Sequence, residues 1–442
     1  MIQVKIIIIV YFLLVLAVGL ISYFRIKTPA DYYISGKNAG VFTISGSLLA
    51  TILGGSAILG TIELSHINGW PAIWFLTSAA IGLLFLIPFV KRISNQGQFT
   101  LPELLGKMYG ENARKIASVI IPIAWVGIVA VQIIAAAKIL QSVGFMSYNN
   151  SAILAGMVFI IFTLAGGQVG ILRTDTLQSI ILLAGLMLVF LISMFNENLP
   201  PVEPFSAGVL FNDKFSITDL LVLLLTYSVT FVVGPDIYSR VFCARNEKVA
   251  TQSIIITAFF LIVIGVMLTW LGFYSVAENN QGIFSFTALN LPGWIYGLFM
   301  AALLSAIISS GSSLMNAAMI LSELSLGNLQ KKDALKLTRI YILLLGIAGI
   351  ITALFISKII ATLLFALAVF SGSFVVPTLA GLLNLKVNKQ RIVAAIIAGG
   401  LFALAGKILT IFDFSSLGNI LIIGAHPVNA LILFWSGKML KH

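Results

Sequence analysis

The chain has 442 residues, of which 60% are hydrophobic and 9% charged, and its net charge is +11. Soluble domains carry about 25% charged residues, so a water-soluble globule is excluded. The single cysteine, Cys243, excludes an internal disulfide and a cysteine metal cluster.

About thirteen apolar stretches reach the length of a membrane-crossing helix. They are 4–24, 42–65, 70–90, 115–143, 149–168, 175–195, 217–239, 251–275, 294–325, 338–357, 359–384, 391–412 and 417–437, which leaves no room for a soluble domain of useful size. The first is too long for the core of a signal peptide. It lacks a small-residue cleavage pattern and is followed by Arg25 and Lys27, so it reads as a true span. Between the third and fourth spans, Thr100-Leu101-Pro102-Glu103 is a helix-start signal, predicting an amphipathic helix along the cytoplasmic surface. The segment 196–215, with Pro200, Pro201 and Pro204, reads as an outer connector.

Lysine and arginine concentrate on the cytoplasmic side of membrane proteins. An N-terminus outside gathers Arg25, Lys27, Lys91, Arg92, Arg114, Lys115, Arg173, Arg240, Arg245, Lys248, Lys331, Lys386, Lys389, Lys438 and Lys441 on that side. The outer side keeps only Lys5, Lys214, Lys358 and Lys407, with Lys138 near the outer end of the fourth span. This bias predicts an odd number of spans with the C-terminus in the cytoplasm of a plasma (inner) membrane. It also explains the net charge without a nucleic acid partner.

Two spans carry helix breakers. The second holds Gly54-Gly55 near its middle, and the seventh ends in Gly234-Pro235-Asp236. Broken membrane helices are tolerated where the freed backbone lines a cavity. The two breaks are five spans apart, so a repeated five-helix unit would start on opposite membrane faces, as in inverted-repeat transporters. The glycines also fit close helix packing.

The ninth span contains Ala306-Ile307-Ile308-Ser309-Ser310-Gly311-Ser312-Ser313. Ala306, Ser309, Ser310 and Ser313 share one helical face, and Ser309, Ser312 and Ser313 an adjacent one. Hard cations take oxygen ligands, which hydroxyls, carbonyls and a carboxylate supply. Counting about 1.5 Å per residue brings this serine run, Ala50 and Leu53 to a similar depth, with Asp175 at the start of the sixth span. The serines also fit interhelical hydrogen bonding, and Asp175 also fits a helix cap.

These residues resemble the sodium/solute symporter family of sodium-coupled sugar, proline, pantothenate and sialic acid carriers. The resemblance rests on Asp31 to Lys37, Ala50 to Gly60, Thr100 to Glu103, Gln132 to Leu140, Gly166-Gly167 with Arg173 to Gln178, Tyr238 to Asn246, and Ala306 to Asn316, in the family's order. It implies an all-α integral membrane fold: two inverted five-helix repeats of the leucine-transporter type, with one leading and two trailing helices. The divisions are then 1–41, 42–196, the outer loop 197–216, 217–384 and 385–442. It implies a shared sodium site matching Ala50, Leu53, Ala306, Ser309 and Ser310. A second-sodium pattern of some members matches Asp175, Ser309, Ser312 and Ser313. Ile52 stands where some relatives place an acidic residue, and most polar side chains typical of sugar carriers are missing.

Solute is expected beside the breaks near the midplane. The candidates are Gly54, Gly55, Ser56, Trp74, Gln132, Thr226, Tyr227 and Thr230. A weakly polar pocket points to an amino acid or organic acid rather than a sugar. His66, His426, Glu63, Asp236, Asp413 and Glu323 mostly fall near helix ends, and no two histidines have metal-ligand spacing. The expected function is sodium-coupled import of a small organic solute by alternating access, with sodium as coupling ion and no cofactor. A proton-driven version and a transporter-like sensor are the alternatives, the latter usually bearing a signalling domain for which the few residues after the last span leave no room. An enzyme is disfavoured by the lack of paired catalytic groups. Oligomeric state is not legible.

Overall fold

The computed structural model describes residues 2–23, 32–33, 37–95, 100–196, 199, 202, 204–274, 282–309, 311–327, 329–331, 333–356 and 358–435. Among them the regular structure is helical. Strand-like contact is limited to two isolated bridges, Ala39 with Ala244 and Asn212 with Phe215.

The helices, in chain order, are α1 (Ile2–Tyr23), α2 (Val41–Ile52), α3 (Gly55–Asn68), α4 (Ile73–Leu86), α5 (Val90–Asn95), α6 (Leu101–Tyr109), α7 (Glu111–Ser142) and α8 (Tyr148–Met194). After the connector come α9 (Ile217–Leu223), α10 (Val229–Val233), α11 (Pro235–Cys243), α12 (Glu247–Phe273), α13 (Gly282–Asn290), α14 (Gly293–Ser309) and α15 (Gly311–Leu326). The last are α16 (Ala334–Phe355), α17 (Ile359–Leu382), α18 (Ile392–Ile411) and α19 (Ser415–Phe434). Among the described residues, ten stretches have the length and hydropathy to cross a bilayer, and the bent pair α2–α3 makes up to eleven. Two shorter apolar runs, Ile2–Leu14 and Gly293–Ser305, lie in the first and ninth predicted spans.

The predicted spans 149–168 and 175–195 fall in one helical run, α8, of 47 residues. A straight helix of that length would measure about 70 Å, more than twice a hydrocarbon core. Its contacts show that it folds back. A Cβ on Gly311 would lie 2.9 Å from Thr163 Oγ1, and one on Gly185 would lie 2.9 Å from Ala302 Cβ. Ala302 and Gly311 are at most about 14 Å apart along their helix pair, whereas Thr163 and Gly185 would be about 33 Å apart on a straight one. The halves Tyr148–Ala165 and Gly170–Met194, each of spanning length, therefore pack beside the same partner.

α6 starts where its cap signal predicts. Thr100 Oγ1 accepts from the Glu103 N–H, and the Glu103 carboxylate accepts from the Thr100 N–H, a reciprocal capping box. Leu101, Leu104 and Leu105 face inward and are fully buried. Thr100 also donates to buried Glu323 at 2.5 Å, and Arg114 reaches the same carboxylate at 3.0 Å. α6 is thereby fastened to the ends of α7 and α15. Elsewhere the outward faces present large apolar side chains such as Phe259, Leu344 and Leu401, as a lipid-facing surface requires.

Candidate functional site

The site is organised by two interruptions. α2 ends at Ile52 and α3 begins at Gly55, and the two axes differ by 53°. Gly54 takes an extended conformation (φ −56°, ψ 165°) between them. Carbonyls in the last turn of a helix have no partner within it, and Ala50 and Leu53, both fully buried, stand there.

The second interruption is at Gly234-Pro235. Pro235 has no N–H to donate and disfavours helical backbone in the residue before it. Gly234 is accordingly extended, and a Cβ on it would lie 2.3 Å from Thr230 O. Just upstream, Leu224–Ser228 forms a π-helical turn, a feature often found at functional sites. α4 approaches this turn so closely that a Cβ on Gly82 would lie 2.0 Å from Ser228 O.

Between the interruptions lies a cavity of about 590 Å³, measured with its opening. Its polar lining is Thr51, Ser56, Gln132, Thr230, Asp236 and Ser313, and Tyr227 and Trp125 add aromatic faces. Gln132 Nε2 donates to Ser56 Oγ at 3.0 Å, joining α7 to the start of α3. Thr230 donates to Tyr227 O at 2.6 Å. The Tyr227 ring stacks on Phe75 at 4.3 Å. Ile52, Ile128, Phe231, Leu363 and Leu367 supply apolar walls.

Asp236, in the first turn of α11, opens on this cavity. Trp125 Nε1 donates to its Oδ2 at 3.1 Å, Asn316 Nδ2 donates to its Oδ1 at 2.5 Å, and Ser313 Oγ also donates to Oδ2. One turn further along α11, Arg240 is fully buried. It donates from Nη2 to Asp175 Oδ2 at 3.2 Å and from Nε to Ser47 Oγ at 3.1 Å, and Ser47 in turn donates to Asp175. Arg240 Nη1 caps the arrangement on Ser239 Oγ at 2.9 Å. Arg240, one of the charges expected on the cytoplasmic side, is thus buried in the protein, where its hydrogen-bonded partner Asp175 compensates its charge.

Of the predicted solute residues, Ser56, Gln132, Tyr227 and Thr230 line the cavity, whereas Gly54 and Gly55 form the break next to Ser56 and are not in its lining. Trp74 does not join them. Its Nε1 donates to Leu210 O at 3.1 Å and its ring packs on Phe211, in the connector. Thr226 is buried and donates to Val222 O at 2.6 Å rather than lining the cavity. Of the predicted sodium residues, the side chains of Ala306 and Ser309 and the whole of Ser310 lie outside the described residues. Ser312 is fully buried, and Ser313 turns to Asp236. Sequence reasoning missed Asp236, Trp125, Thr51 and Asn316 as site residues. For Asp236 the signal was present, because it directly follows the Gly-Pro break.

The profile of the sodium:solute symporter family matches residues 32–399. A sodium/proline symporter of Haemophilus influenzae is 23% identical over 437 residues, covering 90% of this chain and 87% of the relative. A zebrafish (Danio rerio) sodium/glucose cotransporter 4 is 29% identical over 42% of this chain, and the match spans only 29% of that longer protein. Among solved structures, a sodium-coupled sialic acid symporter in a substrate-bound outward-open state superposes with a TM-score of 0.76 at 20% identity, covering 97% of this chain and 98% of the other. A nucleobase-cation-symport-1 family transporter with bromovinylhydantoin bound superposes at 0.59 and 12% identity, covering 91% and 94%. The fold is thus that of sodium- and cation-coupled transporters, and the chain, a multi-pass membrane transporter rather than an enzyme, belongs to the sodium:solute symporter family.

Proposed function

We propose that the protein imports a small amino acid or organic acid, driven by sodium entering the cell. The observation that carries this reading is the meeting of a helix break, Leu53-Gly54, with a cavity whose polar lining includes Ser56, Gln132, Thr230 and Asp236. Unwound backbone at membrane depth is tolerated where it lines such a cavity or holds an ion. The sodium/proline symporter of H. influenzae, similar along most of the chain, supports a small solute.

In this reading the coupling sodium lies below the break, held by the carbonyls of Ala50, Leu53 and Ala306 and the hydroxyls of Ser309 and Ser310. Asp175, Ser309, Ser312 and Ser313 form a second sodium position. Thirteen spans, with the N-terminus outside, make up two inverted repeats at 42–196 and 217–384 plus one leading and two trailing helices, about 20 residues each. Each repeat then opens with a broken helix, α2–α3 in one and α10–α11 in the other. Alternating access works by exposing the cavity first to one side and then to the other.

The test is a thermal-unfolding titration of the purified protein with NaCl against KCl at constant ionic strength, since a ligand bound only by the folded state stabilises it. A sodium-specific rise that weakens in Ser310→Ala supports the site. Equal curves in sodium and potassium would remove sodium coupling and turn attention to protons.

A further inference from the structure

We propose that the Asp236 carboxylate is the anchor for a positively charged nitrogen on the transported solute, so that the solute is an amino compound rather than an organic anion or a sugar. This rests on the importer reading above and narrows its solute class.

The argument is a balance of donors and acceptors. Among the described residues, the cavity lining contains no lysine, arginine or histidine. Its donors are largely spent on the protein itself. Thr51 donates to Ser47 O, Thr230 to Tyr227 O, and Ser313 and Trp125 to Asp236. Apart from the Ser56 and Tyr227 hydroxyls, what remains on offer is acceptor capacity. Asp236 opens on the cavity, and no lysine, arginine or histidine among the described residues pairs with its carboxylate. Gln132 is 4% exposed, lines the same cavity, and its Oε1 has no hydrogen-bond partner among the described residues. A ligand that completes this cavity must bring N–H donors and a positive charge.

The bland alternative makes Asp236 a helix-start residue that complements the dipole of α11. Its bonds argue otherwise. The carboxylate does not cap its own helix; it is held by Trp125, Ser313 and Asn316 from two other helices. Three donors hold the carboxylate in place, yet none of them brings it a countercharge. A bare sodium ion suits the position poorly. Hydrogens of Trp125, Asn316 and Ser313 already point at the carboxylate, and a hard cation needs several oxygens gathered round it. A protonated amine needs only two or three acceptors along its N–H directions. Its carboxylate end finds the Ser56 hydroxyl and the N-terminal end of α3, which favours negative charge.

The experiment uses the full chain in detergent, in NaCl, with matched probe pairs: L-proline against tetrahydrofuran-2-carboxylate, and L-alanine, L-serine and L-valine against their α-hydroxy acids. Glucose and N-acetylneuraminate complete the panel. Thermal shift reads binding. The expected result is that at least one amino acid stabilises the protein and its nitrogen-free twin does not. Asp236→Asn should weaken that amino acid about 30-fold or more while the shift from sodium alone persists. Tighter binding of a hydroxy acid or sugar, unchanged amino acid affinity in Asp236→Asn, or no response to any amine would overturn the proposal. A sodium shift lost in Asp236→Asn, with amino acid binding intact, would assign the carboxylate to an ion instead. The wild-type pairs decide the matter even if the variant does not fold. Sodium dependence measured without solute tests the coupling reading separately, so the two can fail independently.

Discussion

Arg240 Nη2 donates to Asp175 Oδ2 at 3.2 Å, and neither side chain has any exposed surface. The pair bridges α11 and α8, and Ser47 of α2 bonds to both members. Removing one member of such a pair leaves an uncompensated buried charge, typically costing about 3–5 kcal/mol. Arg240→Met should therefore lower the unfolding temperature sharply. Arg240→Met with Asp175→Asn should recover part of that loss, and a double-mutant cycle by thermal unfolding measures it. Additive losses would show that the two side chains do not depend on each other.

Asp175 is also a candidate ligand for a second sodium. If sodium binds there, Asp175→Asn should lower the steepness of the sodium titration as well as stability. If the carboxylate serves only Arg240, stability falls and the sodium titration keeps its shape. Flux or thermal-shift titration with sodium separates the two outcomes.

Gln132 ties α7 to the start of α3 through Ser56. Gln132→Leu keeps the volume and removes the bond and the free Oε1. Solute affinity should fall about tenfold, the loss expected for one good hydrogen bond, with the sodium concentration for half-saturation little changed. Equal losses for solute and sodium would place Gln132 at the ion instead.

Gly82 lets α4 lie against the π turn, where a Cβ would meet Ser228 O at 2.0 Å. Backbone cannot yield to a methyl as a flexible side chain does. Gly82→Ala should cost about 1–3 kcal/mol by overpacking and disturb solute binding through Tyr227. Gly110→Ala has open space around it but a backbone at φ 97° and ψ 178°, so it should cost strain of about 1–3 kcal/mol without touching solute affinity.

Thr100→Ala removes the cap of α6 and its bond to Glu323. Loss of the cap alone costs about 1 kcal/mol, and Glu323 loses one of its donors. Thr100→Ser should restore most of the stability, which thermal unfolding checks.

Local signals were read correctly where they act locally. Gly54-Gly55 breaks a helix, Pro235 forces Gly234 to be extended, and Thr100 with Glu103 starts α6; each follows from backbone chemistry within a few residues. Ser56, Gln132, Tyr227 and Thr230 line the cavity because they stand near those breaks. Arg240 could not be placed, because its burial depends on Asp175, 65 positions away in the chain. Trp74 lies away from the cavity, against the connector, for a similar reason: helical spacing does not say which face meets Leu210. Asp236 was legible beside its Gly-Pro break but was read as a solvated helix end. Its real neighbours, Trp125 and Asn316, come from helices that no local pattern links to it.

The bridge between Ala39 and Ala244 reaches further than its size suggests. Ala39 N–H donates to Cys243 O at 3.1 Å, and Arg245 N–H donates to Ala39 O at 3.0 Å. One strand of this clasp leads into α2, and the other leaves α11. The ends of the two interrupted helices remote from their breaks are thus buckled together, and the Ser47–Arg240 bond adds a second rivet further along α2. Tied in this way, the two unwound points are expected to move as a single lever rather than as two hinges.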